Sequence, residues 1–225
     1  MKPKGRLFVV STPIGNLEDI TLRALKILKE VEIIACEDTR QTIKLLNAFG
    51  LKKRLLSYFH PKESQKLPEI LAYLNSGQDV ALVSDAGTPG ISDPGFPLIR
   101  EALNQGIQII PIPGPSALTA ALSASGLPTH RIVFVGFPPA KRGSLKNFLS
   151  KLSEEEGTMV FFVPMRRVCE FIKVAQEVFG PRNAVLAREI TKVHEEFIRA
   201  RLDTLLDGLT PDKIRGEATL LIQGK

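Results

Sequence analysis

The sequence predicts an α/β protein with a mostly parallel first sheet and a mixed second sheet. Three observations carry this. Apolar runs of strand length over 7–10, 32–36, 79–83 and 107–110 alternate with segments of helical periodicity. Gly- and Pro-rich loops follow three of those runs, at 11–16, 84–95 and 111–117. After Pro113-Gly-Pro115 the pattern changes to five strand-like runs with about three helices, which suits a mixed sheet. The boundary falls at residue 115, giving an N-terminal α/β domain over 1–115 and a C-terminal α/β domain over 116–225.

In the first half, Ile20, Ala24, Ile27, Leu28 and Val31 recur at helical spacing, with Asp19 or Thr21 near the N-cap. A helix over 41–49 ends at Gly50, and a short strand follows over 55–58. Helices over 63–75 and 97–105 end at Gly77 and Gly106. The strand over 107–110 is expected to break at Pro111. Ser116 is placed to cap a small-residue helix over 117–125. In the second half, strands are expected over 132–135, 159–163, 184–187, 195–200 and 218–222. Helices are expected over 145–152, capped by Ser144, over 168–179 and over 202–206.

Composition excludes several classes. At 44% hydrophobic and 24% charged, the chain is an ordinary globular mixture. No apolar run approaches a membrane span. The basic start, Met1–Arg6, is followed by an apolar run of strand length only, so a signal peptide is not expected. Cys36 and Cys169 form no CxxC or Cys/His pattern, read as small buried residues in a reducing cytoplasm, and suggest no metal site. The net charge is +6; 14 basic and 12 acidic residues precede Pro113, and 16 and 12 follow it. That excess suits a polyanionic partner.

The stretch Ser84-Asp-Ala-Gly-Thr-Pro-Gly-Ile-Ser-Asp-Pro-Gly95 follows the strand over 79–83. Open α/β sheets hold ligands at such strand ends. Neither GxxxxGK[ST] nor GxGxxG is present, so a Walker-type cradle and the usual dinucleotide fingerprint are both unsupported. These loops instead offer main-chain groups with little side-chain bulk, suited to a medium-sized polar ligand. Asp85 and Asp93 can either bind such a ligand or cap the turns of their own loop. Glu37-Asp-Thr-Arg40 ends the second strand, and His60 follows the third.

Four segments carry a resemblance: Pro13-Ile-Gly-Asn-Leu-Glu-Asp-Ile-Thr21, Ala35-Cys-Glu-Asp-Thr-Arg40, the stretch 84–95, and Pro113-Gly-Pro-Ser-Ala117. Together they resemble the ribosomal RNA small subunit methyltransferase I family, a branch of the tetrapyrrole methylase superfamily. The resemblance implies a two-domain tetrapyrrole-methylase-like fold with S-adenosylmethionine in the cleft between domains. It also implies 2′-O-methylation of a cytidine ribose in the decoding region of 16S rRNA, by a cytoplasmic homodimer acting on 16S rRNA or the 30S subunit. By the same resemblance, the cofactor falls to Pro13, Gly15, Asp85, Ala86, Gly87, Thr88, Ile91, Ser116, Ala117 and Val163.

A ribose hydroxyl is a weak nucleophile, so removal of its proton is expected to help. Glu37 is the first choice of base and Asp38 the second; the other role for both is an ion pair with Arg40. Arg40, His60, Lys141, Arg142, Arg166 and Arg167 are the candidate RNA contacts. The run Phe162-Val-Pro-Met-Arg166 departs from the acidic residue and histidine often found after this strand in the RNA branch. Two competing functions share these features: a porphyrinoid or diphthine-type methylase on the same scaffold, and a non-catalytic RNA-binding module.

Overall fold

The computed structural model describes residues 3–210 and 214–225; Met1 and Lys2 of the basic start lie outside them. The chain divides into two compact units, Met1–Ser116 and Ala117–Lys225.

The first unit holds β1 (Arg6–Val10), α1 (Leu22–Glu30), β2 (Ile33–Cys36), α2 (Thr39–Ala48), β3 (Arg54–Ser57), α3 (Glu63–Asn75), β4 (Val80–Val83), α4 (Phe96–Asn104) and β5 (Gln108–Ile112). Its five strands are all parallel, in the order β3-β2-β4-β1-β5. The strand residues alternate between two cores. Leu7, Ile33, Ala35, Val80 and Leu82 pack with Ile70, Leu74 and Leu98 of α3 and α4. Phe8, Val10, Ile34, Cys36, Ala81 and Val83 pack with Ala24, Leu28 and Leu46 of α1 and α2. With both faces covered, the strands read as continuous apolar runs.

Between the two candidate caps of α1, the structure selects Thr21. Its Oγ1 accepts the Ala24 N–H at 3.0 Å. Thr21→Ala should therefore cost about 1 kcal/mol. Denaturant unfolding would show a lower midpoint with an unchanged slope.

Two of the expected boundaries that move have a visible cause. Helix α2 begins at Thr39 rather than residue 41, because Asp38 is its N-cap and accepts the Arg40 N–H at 2.8 Å. Strand β5 runs through Pro111 to Ile112 instead of breaking there. It lies at the sheet edge, where a missing N–H removes no ladder bond.

The second unit holds α5 (Ala117–Ser125), β6 (Ile132–Gly136), α6 (Arg142–Ser150), β7 (Thr158–Pro164), α7 (Met165–Phe179), β8 (Asn183–Arg188), β9 (Glu196–Arg201) and β10 (Glu217–Ile222). The sheet order is β6-β7-β10-β8-β9; β6 and β7 are parallel and the other pairs antiparallel. Leu145, Leu149, Phe161, Val163, Val168, Phe171, Ile172 and Leu220 build its main core. Ser144 is the third residue of α6, not its cap; Lys141 holds that position without a side-chain cap. Helix α7 starts at Met165, so Arg166 and Arg167 lie in its first turn rather than in a loop. The expected helix over 202–206 is a short 3₁₀ turn, Leu205–Gly208. Cys36 is buried and Cys169 half-buried, both as free thiols.

Candidate active site

The carboxyl ends of the parallel strands in the first unit carry two adjoining features. The first is built by the loops after β4, β1 and β5, which are neighbours in the sheet. Thr12 N–H donates to the Gly87 carbonyl at 2.9 Å, and Gly87 N–H donates to the Thr12 carbonyl at 3.0 Å. This pair is antiparallel although β1 and β4 are parallel, so the β4 loop doubles back at Gly87. Gly87 makes that reversal with φ of +92°, a region that disfavours a side chain. Thr12 Oγ1 donates to the Ser84 carbonyl at 3.0 Å, Ser84 Oγ donates to the Gly87 carbonyl at 3.2 Å, and Ser11 Oγ meets Thr88 Oγ1 at 2.8 Å. Gly114 closes the third loop on Ser11; a Cβ there would lie 3.0 Å from the serine Cβ.

The buried hydroxyls thus bond to main chain and to one another, and the loop surface is left with small groups. Gly15, Ala86 and Ile91 are exposed, while Pro13, Thr88 and Ser116 are half-buried. Ala117 and Val163 belong to the second unit. Ala117 begins α5, and Val163 lies in β7 with its side chain 2% exposed in the core there.

The second feature is a cavity of about 890 Å³ at the carboxyl ends of β2, β4 and β3. It gathers Glu37 to Arg40, Phe59, His60, Glu63, Asp85 and the stretch 92–97. Ser92 on its wall has φ of +63°, one of three non-glycine residues with positive φ among those described. Backbone strain of this kind gathers at functional sites.

The structure separates Glu37 from Asp38. Asp38 is an N-cap and also an ion-pair partner, with its Oδ2 2.6 Å from an Arg40 terminal nitrogen. The Arg40 bonds hold its carboxyl down at about 2, so it is a poor proton acceptor. Of the two predicted carboxylates, the pairing with Arg40 falls to Asp38. Glu37 is half-buried, and burial raises its proton affinity. The Asp85 charge adds to the rise, and the Asp85 backbone N–H opposes it. Asp85 itself is raised, first by burial, while its carboxylate accepts the Asp38 N–H at 3.0 Å. A carboxylate with raised proton affinity is better matched to base work near neutral pH.

Asp85 therefore lines the carboxylate cavity and belongs to the same loop that bonds to Thr12 through Gly87. Sequence reasoning passed over Phe59, Glu63 and Phe96, which also line the cavity. The signal that could have found them was the one used for Glu37: Phe59 lies two residues past the end of β3, and Glu63 and Phe96 open the helices that follow β3 and β4.

The basic candidates divide. The Arg40 side chain is 85% exposed at the cavity, and His60 lies on its wall. Lys141 and Arg166 are exposed and have no ion-pair partner among the described residues. Arg142 pairs with Glu177, and Arg167 donates to the Pro139 carbonyl at 2.6 Å. Both help to hold α6 and the loop before it, and the Arg142 side chain is still 52% exposed. Lys53, in another basic cluster, donates to the carbonyls of Lys29 and Val31 at 2.6 and 2.7 Å. It caps α1 at the opposite, amino end of the sheet.

Comparison with known proteins adds to this geometry. Residues 6–206 match the family described as Tetrapyrrole (Corrin/Porphyrin) Methylases. The chain is 43% identical to the ribosomal RNA small subunit methyltransferase I of Thermotoga maritima, over 98% of this chain and 99% of the relative. It is 45% identical to the protein of the same name from Pseudomonas aeruginosa, over 98% of this chain and 79% of the relative. Among solved structures it is similar to the uroporphyrin-III C-methyl transferase of Thermus thermophilus complexed with S-adenyl homocysteine. That match has a TM-score of 0.66 and 22% identity, over 97% of each chain.

Proposed function

Because the chain belongs to the Tetrapyrrole (Corrin/Porphyrin) Methylases, and within them to the ribosomal RNA small subunit methyltransferase I family, we propose that it transfers a methyl group from S-adenosylmethionine to the 2′-hydroxyl of a cytidine ribose in 16S rRNA. The relatives named for ribosomal RNA are 43–45% identical, whereas the uroporphyrin enzyme is 22% identical. The porphyrinoid alternative loses its ground on that difference. A module that only binds RNA has no use for the glycine-lined loops.

One observation carries the reading. A single loop, the one after β4, bonds to Thr12 through Gly87 and then lines the carboxylate cavity from Ser92 to Pro97. Methyl donor and proton acceptor thus have adjoining places on one sheet edge. The donor fits a surface of main chain and small side chains in the first unit: Pro13, Gly15, Ala86, Gly87, Thr88, Ile91 and Ser116. When bound, it supplies a methyl group on a good leaving group.

Everything else falls to the protein. The loop holds the donor, the cavity admits the ribose, and Glu37 takes the hydroxyl proton as the oxygen attacks. Arg40, His60, Lys141 and Arg166 supply contacts to the RNA backbone or bases. The protein works as a cytoplasmic homodimer, with assembled 30S subunits or free 16S rRNA as substrate.

The test is transfer of labelled methyl from S-adenosylmethionine to small-subunit RNA and to 30S particles from cells lacking the modification. Label on a cytidine 2′-oxygen is expected. Absence of label in both substrates would overturn the proposal.

A further inference from the structure

We propose that Asp85 is a positioning residue for Glu37, the proposed base, rather than a ligand of the methyl donor. The inference rests on the reading above and begins from the sheet. Strands β2 and β4 are parallel neighbours whose register ends at Cys36 opposite Val83. Two residues further along each chain, the register sets Asp38 opposite Asp85. The next rung is made by a side chain: the Asp38 N–H donates to Asp85 Oδ1 at 3.0 Å. The Asp85 N–H favours the charged form of Glu37, while burial and the Asp85 charge oppose it. The Asp38–Asp85 bond ties the β4 loop to the start of α2, at the residue next to Glu37, and Glu37 and Asp85 line the same cavity.

The bond restrains the backbone that carries Glu37 into the cavity. It also places a like charge beside Glu37. The charged or titratable groups facing Glu37 are Asp38 and Arg40 from the start of α2, His60 and Glu63 from the stretch after β3, and Asp85 and Asp93 from the β4 loop. Asp38 is balanced by Arg40. Among the described residues Asp85 has no ion-pair partner, although the Arg40 charge reaches it, and its charge acts on Glu37 more strongly than that of Asp38.

The chemistry balances without another reactant. The acceptor O–H bond breaks, and its proton goes to the Glu37 carboxylate. The oxygen forms a bond to the methyl carbon, and the carbon–sulfur electron pair leaves with the sulfur of the sulfonium donor. A like charge beside Glu37 makes its carboxylate a stronger proton acceptor.

Asp85→Asn and Asp85→Ala separate the two effects. Asparagine keeps an oxygen for the Asp38 N–H but removes the charge. The measurements are the pH profile of methyl transfer, S-adenosylmethionine affinity by calorimetry, and titration of Glu37 by carbon NMR with labelled glutamate carboxyls, assigned through Glu37→Gln. In Asp85→Asn, the Glu37 titration and the acid limb of the rate should both move to lower pH, with reduced turnover. Asp85→Ala should lose about tenfold more turnover than Asp85→Asn, as part of the ~10²–10⁴ that a general base contributes. Donor affinity should hold in both.

An unmoved Glu37 titration in Asp85→Asn overturns the inference. So does a fall in donor affinity that parallels the fall in turnover, which would return Asp85 to the donor. If the wild-type protein methylates no RNA, the proposed function falls. The Glu37 titration then decides the role of Asp85 alone: movement supports it, and no movement overturns it.

Discussion

Glu37→Gln should slow methyl transfer by about 10²–10⁴-fold, the range by which a positioned general base accelerates proton transfer. Glutamine has the same shape and still offers an oxygen to the Asp85 N–H. It takes no proton. The pH dependence gives a second readout. Burial, then the Asp85 charge, raises the proton affinity of Glu37 above the ordinary carboxylate value. The base form therefore appears only as pH rises through that raised value, and the acid limb of the wild-type profile should lie above ~4.3, the usual glutamate pKa.

The stability effect has the opposite sign from the activity effect. A carboxyl group with a raised folded pKa opposes folding once it ionises, at pH above its unfolded value. Glu37→Gln should thus be no less stable than wild type near neutral pH while being nearly inactive. A variant that melts early would show only damage to the fold. Turnover within a few-fold of wild type, in a folded variant, would remove Glu37 from the mechanism.

Gly87→Leu should weaken S-adenosylmethionine binding by about two orders of magnitude, ~2.7 kcal/mol. A Cβ at Gly87 would lie 3.5 Å from Ile14 Cγ2 and 3.9 Å from the Pro115 carbonyl oxygen. The first atom fits at ordinary contact distance, and the branches beyond it fill the small-residue surface. From sequence alone this variant would be expected to leave the fold intact. The φ of +92° revises that, since a non-glycine residue there is strained by roughly 1–3 kcal/mol. Gly87→Ala carries the strain without the bulk. It should lower the melting temperature while costing less donor affinity than leucine does. Calorimetry and thermal melts on both variants separate occlusion from strain. Wild-type affinity in Gly87→Leu would place the donor elsewhere.

Much of the scaffold was legible in the sequence. Strands β1, β2 and β4 are unbroken apolar runs because both faces of their sheet are covered, and α3 falls on its expected residues, 63–75. What escaped sequence reading depends on side-chain geometry. Asp38 moved the start of α2 by capping it, and Pro111 stayed within a strand because that strand lies at an edge.

The same limit applies to the site. Sequence brought the loops at 11–16, 84–95 and 111–117 together, and the bonds of Thr12, Ser84, Gly87 and Thr88 join the first two, with Gly114 packed on Ser11. Only the strand order β3-β2-β4-β1-β5 reveals that the far half of the β4 loop turns the other way, toward Glu37 and His60. Local pattern carries no information on strand order, so it could not show that Asp85 shares a cavity with Glu37. Nor could it show that Arg142 and Arg167 are engaged within their own unit.

The place of β4 between β1 and β2 has a thermodynamic consequence. Its loop is shared property, pinned to Thr12 on one side and forming the cavity wall on the other. Two ligands that both displace this segment have coupled binding free energies. Whatever factor the methyl donor imposes on acceptor affinity, the acceptor must impose on the donor. An order of substrate binding, and a product that loosens its partner's hold on departure, can therefore arise from a single strand's position in the sheet.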